Sequence, residues 1–274
     1  MGANDGCDTA YYHGLGYKVV AIEADPALAG HLNTRFAEER RAGQIMVLNV
    51  AVTKEDRGMV DFYVSKDNSK SSLIPEMAGR DHAAVHPVRV AGRSLCSLFD
   101  EFGVPGYCKL DIEGYDASAI SGLIGYKDPP PYISCESTDK SIGEINLNDN
   151  LLYETLEVLL SAGYSSFKLI DQDSLLVLSE KEYYRSLQKW STRLWTKMER
   201  YTGRFTPRYN NKLYLLKKGQ LKGEEASGPF GEALDGEWMD TRTTKRRLAA
   251  HFRDYFNCTQ NKKLVFWVDI HAKY

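Results

Sequence analysis

The order of hydrophobic and polar positions predicts alternating helices and strands over roughly the first 180 residues. Short apolar runs at residues 17–23, 44–52 and 107–112 are typical of buried strands. The segments between them carry apolar residues at helical spacing. Such alternation favours an α/β fold with a mostly parallel, doubly wound, Rossmann-like sheet.

The same spacing predicts the remaining elements of this first part. Residues 58–90 interrupt the alternation with a β-rich excursion, in which residues 60–64 partly alternate. The predicted helices cover residues 7–15, 26–42, 94–102, 115–123 and 151–162, and two further strands cover residues 132–135 and 165–170.

The pattern changes after about residue 180. Residues 180–201 carry a long, charged, aromatic-rich helix pattern, and residues 219–240 are loop-like. A helix is predicted over 243–256 and a final strand over 263–270. We therefore divide the chain into a core, residues 1–179, and a C-terminal extension, residues 180–274.

Composition narrows the class of protein. A chain of 274 residues with 43% hydrophobic residues can hold one large α/β domain with extensions. Its formal net charge of −2 gives no bulk positive field, so we expect neither a nucleic-acid nor a membrane partner. The five cysteines include no CxxC pair, which indicates reduced thiols and a cytoplasmic protein.

A glycine-containing turn near the start of the chain is the first candidate for chemistry. The turn consists of Gly2, Ala3, Asn4, Asp5 and Gly6. Free N–H groups at the start of the following helix favour a ligand carboxylate. Glu23 ends the next predicted strand, where an acid can accept hydrogen bonds from ribose hydroxyls. The alternative is an ordinary turn before an ordinary amphipathic helix, since the full GxGxxG pattern is absent.

The same turn raises a question about the sheet. In a doubly wound fold the glycine turn follows the first, central strand, yet only Met1 precedes Gly2. Either the start of the chain is misassigned or clipped, or the sheet lacks its first strand. For the chain as given we expect weak folding or poor solubility, because strand edges are left unpaired.

A second candidate lies in the strand at residues 107–112. Alternation along the strand places Lys109, Asp111 and Glu113 on one face, near its carboxyl end, where ligand clefts of α/β sheets lie. The alternative is a buried Lys109–Asp111 ion pair with Glu113 capping the next helix. Glu136, after the following strand, is a candidate for the same cluster.

Together these segments resemble the FkbM family of S-adenosylmethionine-dependent methyltransferases. The similar segments are GANDG (2–6), VVAIEADP (19–26), LNVAV (48–52), KLDIEGYD (109–116), GLI (122–124), SGPFGEALDGEW (227–238) and WVDIHA (267–272). The resemblance spans nearly the whole chain, and its chief departure is the missing first strand with the acid that ends it.

The resemblance implies a site for S-adenosylmethionine and a methyl acceptor. Residues 2–6 would contact the methionine part of the cofactor, and Glu23 with Ala24 the ribose. The third strand would border the adenine through Asn49, Val50 and Ala51. Asp111 and Glu113 would face the sulfonium and the acceptor, with Asp111 the first candidate for the general base and also a cofactor contact.

Other groups are weaker candidates. His82, His86 and His271 are alternative bases, although a given histidine is more often a surface or packed residue. Asp111 with Glu136 is a candidate Mg²⁺ site, but a metal-independent reaction is the preferred interpretation.

The predicted function is therefore methyl transfer to a hydroxyl group of a small molecule or glycan. One alternative is a non-catalytic cofactor-binding protein with a truncated fold. A nucleotide-dependent oxidoreductase is a further alternative, against which the absence of GxGxxG counts.

Overall fold

A computed structural model describes residues 1–79, 82–139, 151–171, 176–177, 227–234, 236–259 and 266–274 of the chain. Within these residues the helices are α1 (Cys7–Gly14), α2 (Pro26–Arg35), α3 (Ala37–Arg41), α4 (Pro75–Ala78), α5 (Leu95–Phe102), α6 (Asp116–Ser121), α7 (Leu151–Ser161) and α8 (Thr241–Thr259). The strands are β1 (Val19–Ile22), β2 (Ile45–Leu48), β3 (Ala51–Thr53), β4 (Arg57–Ser65), β5 (Val85–Ser94), β6 (Tyr107–Leu110), β7 (Tyr132–Asp139), β8 (Ser166–Asp171), β9 (Leu176–Val177) and β10 (Phe266–Lys273).

The described strands form three sheets. β1 pairs with β2, the order β3-β5-β4 forms a second sheet, and β6-β7-β10-β8-β9 forms the largest. Among the described pairs three are parallel and four antiparallel. Within residues 1–179 the described pairs are three parallel and two antiparallel, and the doubly wound, mostly parallel sheet stays a prediction. The antiparallel pairs come from β10 and β9 in the largest sheet and from the β4–β5 ladder of the excursion.

The main chain of the first three residues lies between two of these sheets. The N–H groups of Gly2 and Ala3 both donate to the Ile22 carbonyl at the end of β1. On the other side the Met1 carbonyl accepts from the Asp111 N–H at 3.2 Å, just after β6. This short segment thus connects the β1–β2 ladder to the largest sheet. The expectation of a missing central strand, with its cost in stability, stays a prediction.

The two faces of the largest sheet differ in chemistry. One face is apolar and packs against α5, α6 and α7, with Leu110, Ile133 and Cys135 completely buried. On the opposite face, strand register aligns Lys109 with Ser134, Ser134 with His271, and His271 with Lys168. Polar side chains are therefore concentrated on the face of the sheet that lies away from these helices.

Local sequence explains how two of the helices begin. Pro26 occupies the first position of α2, and the Asp25 carboxylate accepts from the Ala27 N–H at 2.8 Å. In α5 the Ser94 hydroxyl accepts from the Ser97 N–H at 3.1 Å. Both caps satisfy N–H groups that have no partner within the helix.

Two predicted elements are broken in the structure. The single helix predicted over 26–42 is wrong: α2 ends before Phe36, which is buried with non-helical dihedral angles, and α3 begins after it. The single strand predicted over 44–52 is also wrong. β2 and β3 belong to different sheets, and the strand is interrupted at Asn49, whose side chain donates to main-chain carbonyls after β1.

The C-terminal part contributes a strand to the largest sheet. β10 lies between β7 and β8 and is antiparallel to both, which confirms a strand near the predicted residues 263–270. α8 confirms the helix predicted over 243–256. The helix predicted over 180–201 lies outside the described residues. The division at residue 179 stays a prediction.

Candidate active site

A cleft of about 380 Å³ opens where β1 and β6 end and β7 passes beside them. Its size suits a small organic ligand. Of the predicted site residues, the cleft is lined by Gly2, Asn4, Glu23, Ala24, Val50, Ala51, Asp111, Glu113 and Glu136. Residues from four separate sequence motifs, together with Glu136, are thus brought together, as expected for side chains at the carboxyl ends of neighbouring strands.

Three further predicted residues, Ala3, Asp5 and Gly6, do not line the cleft. Ala3 packs with Leu32 and Phe36, and a Cβ on Gly6 would lie 2.7 Å from atoms of both of these side chains. Close packing against α2 therefore explains the glycine at position 6. Asp5 accepts from the Cys7 N–H at 3.0 Å, so a side chain of the protein itself caps α1.

Glu23 is held rigidly at the edge of the cleft. It is only 6% exposed, and its two oxygens accept from the N–H groups of Asn4 at 2.7 Å and Asp25 at 2.9 Å. Burial raises the pKa of Glu23, while these two N–H groups lower it. Each carboxylate oxygen can accept a second hydrogen bond, so Glu23 is suited to binding hydroxyl groups in the cleft.

Asn49 has a supporting position. Its amide nitrogen donates to the carbonyls of Glu23 and Ala24 at 2.9 and 3.0 Å. These bonds fix the main chain just after β1, beside the lining residues Val50 and Ala51. Asn49 itself is not among the residues that line the cleft. Its contribution is to hold Glu23 in place.

Asp111 forms one end of a buried ion-pair network. Its carboxylate lies 2.7 Å from the Lys109 ammonium, which also lies 3.1 Å from Asp8. Burial is the largest influence on the pKa of Asp111 and raises it, but Lys109 and the hydrogen bond from Glu136 together keep the pKa below the ordinary range. Burial lowers the pKa of Lys109, whereas Asp111 and Asp8 hold it well above the usual value. The ion pair considered from the sequence is present, and Asp111 also faces the cleft.

Glu113 reaches the cleft by a different route from the predicted one. β6 ends at Leu110, so strand alternation does not continue to Glu113. Instead Glu113 has a left-handed φ of 53°, followed by Gly114 with φ 91°. A non-glycine residue in this region is uncommon and costs conformational energy. The Ser72 hydroxyl donates to the Glu113 carbonyl at 2.9 Å and helps to hold this turn.

Asp111, Glu113 and Glu136 each present a carboxylate oxygen within 4.8 Å of the other two. Glu136 shares a hydrogen bond with Asp111. Desolvation raises the pKa of Glu136 well above its ordinary value, and the Asp111 carboxylate raises it further. The proton of this pair therefore resides on Glu136, while Asp111 stays ionised.

Two more acids beside this cluster escaped the sequence analysis. Asp116 and Asp269 are each only 3% exposed. Burial raises the pKa of Asp116 to about 7, with a further contribution from Asp111, and raises that of Asp269 well above the ordinary value. The sequence signal for these two residues is weak: each is an acid within a largely apolar segment, which could have indicated a buried carboxyl group.

The excursion supplies a wall of the cleft that the sequence did not predict. Its contribution consists of Phe62, Asn68, Ser69, Ser71 and Leu73. Short polar residues in a connection carry no specific signal of ligand contact. Their position beside the carboxylates depends on the tertiary packing of the excursion.

The histidines lie outside this arrangement. His82 and His86 are exposed and do not line the cleft. His271 is buried on the polar face of the sheet, and burial lowers its pKa to about 3. An imidazole with so low a pKa is a weak proton acceptor near neutral pH.

Comparison with protein families gives a match over more than half of the chain. The family model of the methyltransferase FkbM domain matches residues 1–166. The chain belongs to the FkbM methyltransferase family. The match includes every cleft residue from Gly2 to Glu136, whereas β10 lies beyond it. Searches of curated proteins and of solved structures returned no match.

Two further observations concern the predicted reduced thiols and the predicted cytoplasmic location. Cys7, Cys96, Cys108 and Cys135 are free thiols, and Cys108 and Cys135 are buried. In the part of the chain that the structure describes, no helix has both the length and the apolar character needed to cross a bilayer. The cytoplasmic location stays a prediction.

Proposed function

We propose that this FkbM methyltransferase transfers a methyl group from S-adenosylmethionine to a hydroxyl group of a small molecule or glycan. The observation that carries the proposal is that Glu23, Asp111 and Glu113 all line the same cleft. Groups suited to a ribose and groups suited to a reacting hydroxyl thus border the same space. The sheet around it we interpret as a doubly wound, Rossmann-like core.

The cleft fits the proposed cofactor in size and chemistry. Its volume, about 380 Å³, lies in the usual range for small-molecule sites. Glu23 would accept hydrogen bonds from the ribose hydroxyls, in addition to those from Asn4 and Asp25. Ile22, Val50 and Val52 offer an apolar wall for the adenine. When bound, S-adenosylmethionine supplies an electrophilic methyl group.

The methionine end would lie toward Gly2 and Asn4. The Cys7 N–H at the start of α1 already binds Asp5, so the proposal does not rely on that group to bind the methionine carboxylate. Gly2 and Asn4 place main chain at the cleft surface with positive φ values of 74° and 46°. These two residues therefore determine how closely a ligand approaches the main chain between β1 and β6.

The carboxylates would position the acceptor and remove its proton. Much of the catalysis of methyl transfer comes from holding the reactants in line. Asp111 is bound to Lys109 and has a pKa below the ordinary range, which makes it a weak base. We therefore assign orientation of the acceptor to Asp111 and removal of the hydroxyl proton to Glu113.

Calorimetry tests the binding of the cofactor, and a turnover assay then tests methyl transfer. The protein should bind S-adenosylmethionine and its demethylated product, and should not bind NAD. Methyl transfer to a panel of hydroxyl compounds and glycans should then be detectable with isotope-labelled cofactor. Binding without transfer to any acceptor would favour the non-catalytic alternative, and binding of NAD alone would overturn the proposal.

A further inference from the structure

We propose that Asp111, Glu113 and Glu136 form a binding site for one divalent cation, Mg²⁺ or Mn²⁺, at the acidic end of the cleft. Carboxylate oxygens are the preferred protein ligands of these ions. The site lies where three chain segments meet: the end of β6, the left-handed turn after it, and β7.

The spacing of the three oxygens suits a single ion. They lie within 4.8 Å of one another. Two oxygens bound to the same Mg²⁺ at its usual bond length lie at most about 4.2 Å apart. Neighbouring oxygens around an octahedral Mg²⁺ lie about 3 Å apart, so side-chain rotations that move these carboxylate oxygens by roughly 1–2 Å would bring all three into coordination. The remaining positions around the ion would hold water or substrate, since Mg²⁺ usually keeps several such ligands.

A buried acid beside the cluster gives a second, independent indication of a ligand. Asp269 is 3% exposed, and its Oδ1 has no hydrogen-bond partner among the described residues. In the β7–β10 ladder Asp269 lies directly opposite Glu136, so both side chains project from the same face of the sheet. A buried polar atom without a partner is costly. A water molecule on the ion would donate to Asp269 Oδ1 and remove that cost.

Asp116 is a further buried acid beside the cluster. It begins α6 and is 3% exposed, and the main-chain N–H groups of Ile112 and of Asp116 itself lower its pKa against the effect of burial. It interacts electrostatically with Asp111 and Glu113. Two buried acids thus lie beside the three proposed ligands, and Asp269 Oδ1 is available to accept from ion-bound water.

The balance of charge also favours a cation. The site contains five carboxyl groups, those of Asp111, Glu113, Asp116, Glu136 and Asp269. The Lys109 ammonium that pairs with Asp111 is shared with Asp8. Like charges in a desolvated site raise one another's free energy unless protons or cations offset them. One divalent cation would take the place of the proton on Glu136 and offset two of these charges.

The role of the ion rests on the proposed methyl transfer. An ion held here would bind the acceptor oxygen and lower the pKa of its hydroxyl group. It would also favour an acceptor with a second oxygen next to the first, such as a vicinal diol, because both could bind one ion. Each carboxylate needs only one oxygen for the ion, which leaves the other oxygen of Glu113 to take the proton.

The test measures binding of the metal alone, without cofactor or acceptor. Metal-stripped protein is titrated with Mn²⁺, and free Mn²⁺ is followed by electron paramagnetic resonance. We expect one saturable site with a Kd below about 1 mM. Glu136→Gln and Glu113→Gln should each weaken binding about tenfold or more. Glu38→Gln, at an exposed position in α3, makes the same chemical change outside the cleft and should leave binding unchanged.

Thermal melts separate loss of the site from loss of the fold. Mg²⁺ should raise the melting temperature of the wild type and of Glu38→Gln, but not that of Glu136→Gln. Wild-type protein that binds no Mn²⁺ up to several millimolar, or cleft variants that bind as well as the control, would overturn the proposal. Because no methyl donor is present, a failure here leaves the proposed methyl transfer standing, and the reverse also holds.

Discussion

The main chain at Gly2 lies directly against the Asp111 carbonyl, so that a Cβ on Gly2 would lie only 1.9 Å from that oxygen. Gly2 also has a φ of 74°, a region that residues with side chains rarely adopt. The turn proposed to contact the cofactor and the strand end that carries the acidic cluster are therefore in van der Waals contact. A change in one should be transmitted to the other.

Replacement of Gly2 tests this contact. Gly2→Ala should destabilise the fold by more than about 2 kcal/mol, because overpacking against main chain adds to the cost of a left-handed alanine. Gly16→Ala is the matched control: its φ is 92°, but nothing lies within 4 Å of a Cβ built there. It should cost only about 1 kcal/mol. Denaturant unfolding measures both, and equal losses would contradict the importance of the contact.

Removal of the Glu23 side chain should weaken cofactor binding. Glu23→Ala would leave the N–H groups of Asn4 and Asp25 without their acceptor and would remove the proposed ribose contact. We expect a loss of about 1–3 kcal/mol in the binding of S-adenosylmethionine, measured by calorimetry. Glu38→Ala, at an exposed position, serves as the control. Unchanged affinity in Glu23→Ala would exclude Glu23 from the cofactor site.

The two acidic residues after β6 should differ in their kinetic effects. Glu113→Gln removes the proposed proton acceptor and should lower kcat by about 10²–10⁴. Asp111→Asn should also reduce turnover, and it should in addition disturb the fold because Lys109 then loses its 2.7 Å carboxylate partner. Rates measured with a genuine acceptor, together with thermal melts, distinguish the two. A Glu113→Gln enzyme with nearly native kcat would return the role of base to Asp111.

The fold could be predicted from sequence where local pattern and tertiary packing agree. β1 is a short apolar run that begins and ends close to the predicted positions, and α5 has the apolar spacing that its buried face requires. Prediction failed where contacts between residues far apart in the sequence determine the structure. The break between β2 and β3 depends on Asn49 reaching back to the end of β1. Register between distant strands, which places Asp269 opposite Glu136, has no local signature.

The candidate site was predictable in part for the same reason. Glu23, Asp111 and Glu136 each follow or end an apolar run, and the carboxyl ends of neighbouring strands meet at one edge. Glu113 reaches the cleft through a left-handed turn that alternation does not predict. The wall formed by the excursion, and the burial of Asp116, arise from tertiary packing alone.

The stability of the metal-free protein should depend on pH through Asp116. Burial raises the pKa of Asp116 to about 7 in the folded state, against an ordinary value near 3.8. Between these two values the folded state binds the proton more tightly, so the contribution of Asp116 to stability falls as the pH rises from about 4 to 7 and is constant above. A shift of this size corresponds to about 4 kcal/mol.

Asp116→Asn tests this expectation because it removes the ionisation while keeping the shape of the side chain. The stability of the variant relative to the wild type should rise over this pH range. Denaturant unfolding at pH 4.5 and pH 8 in the presence of a chelator measures the change, with Asp128→Asn, the same chemical change at an exposed position, as the control. A difference between Asp116→Asn and the wild type that stays flat or falls with pH would show that the Asp116 carboxyl is ionised in the folded protein at pH 4.5 already.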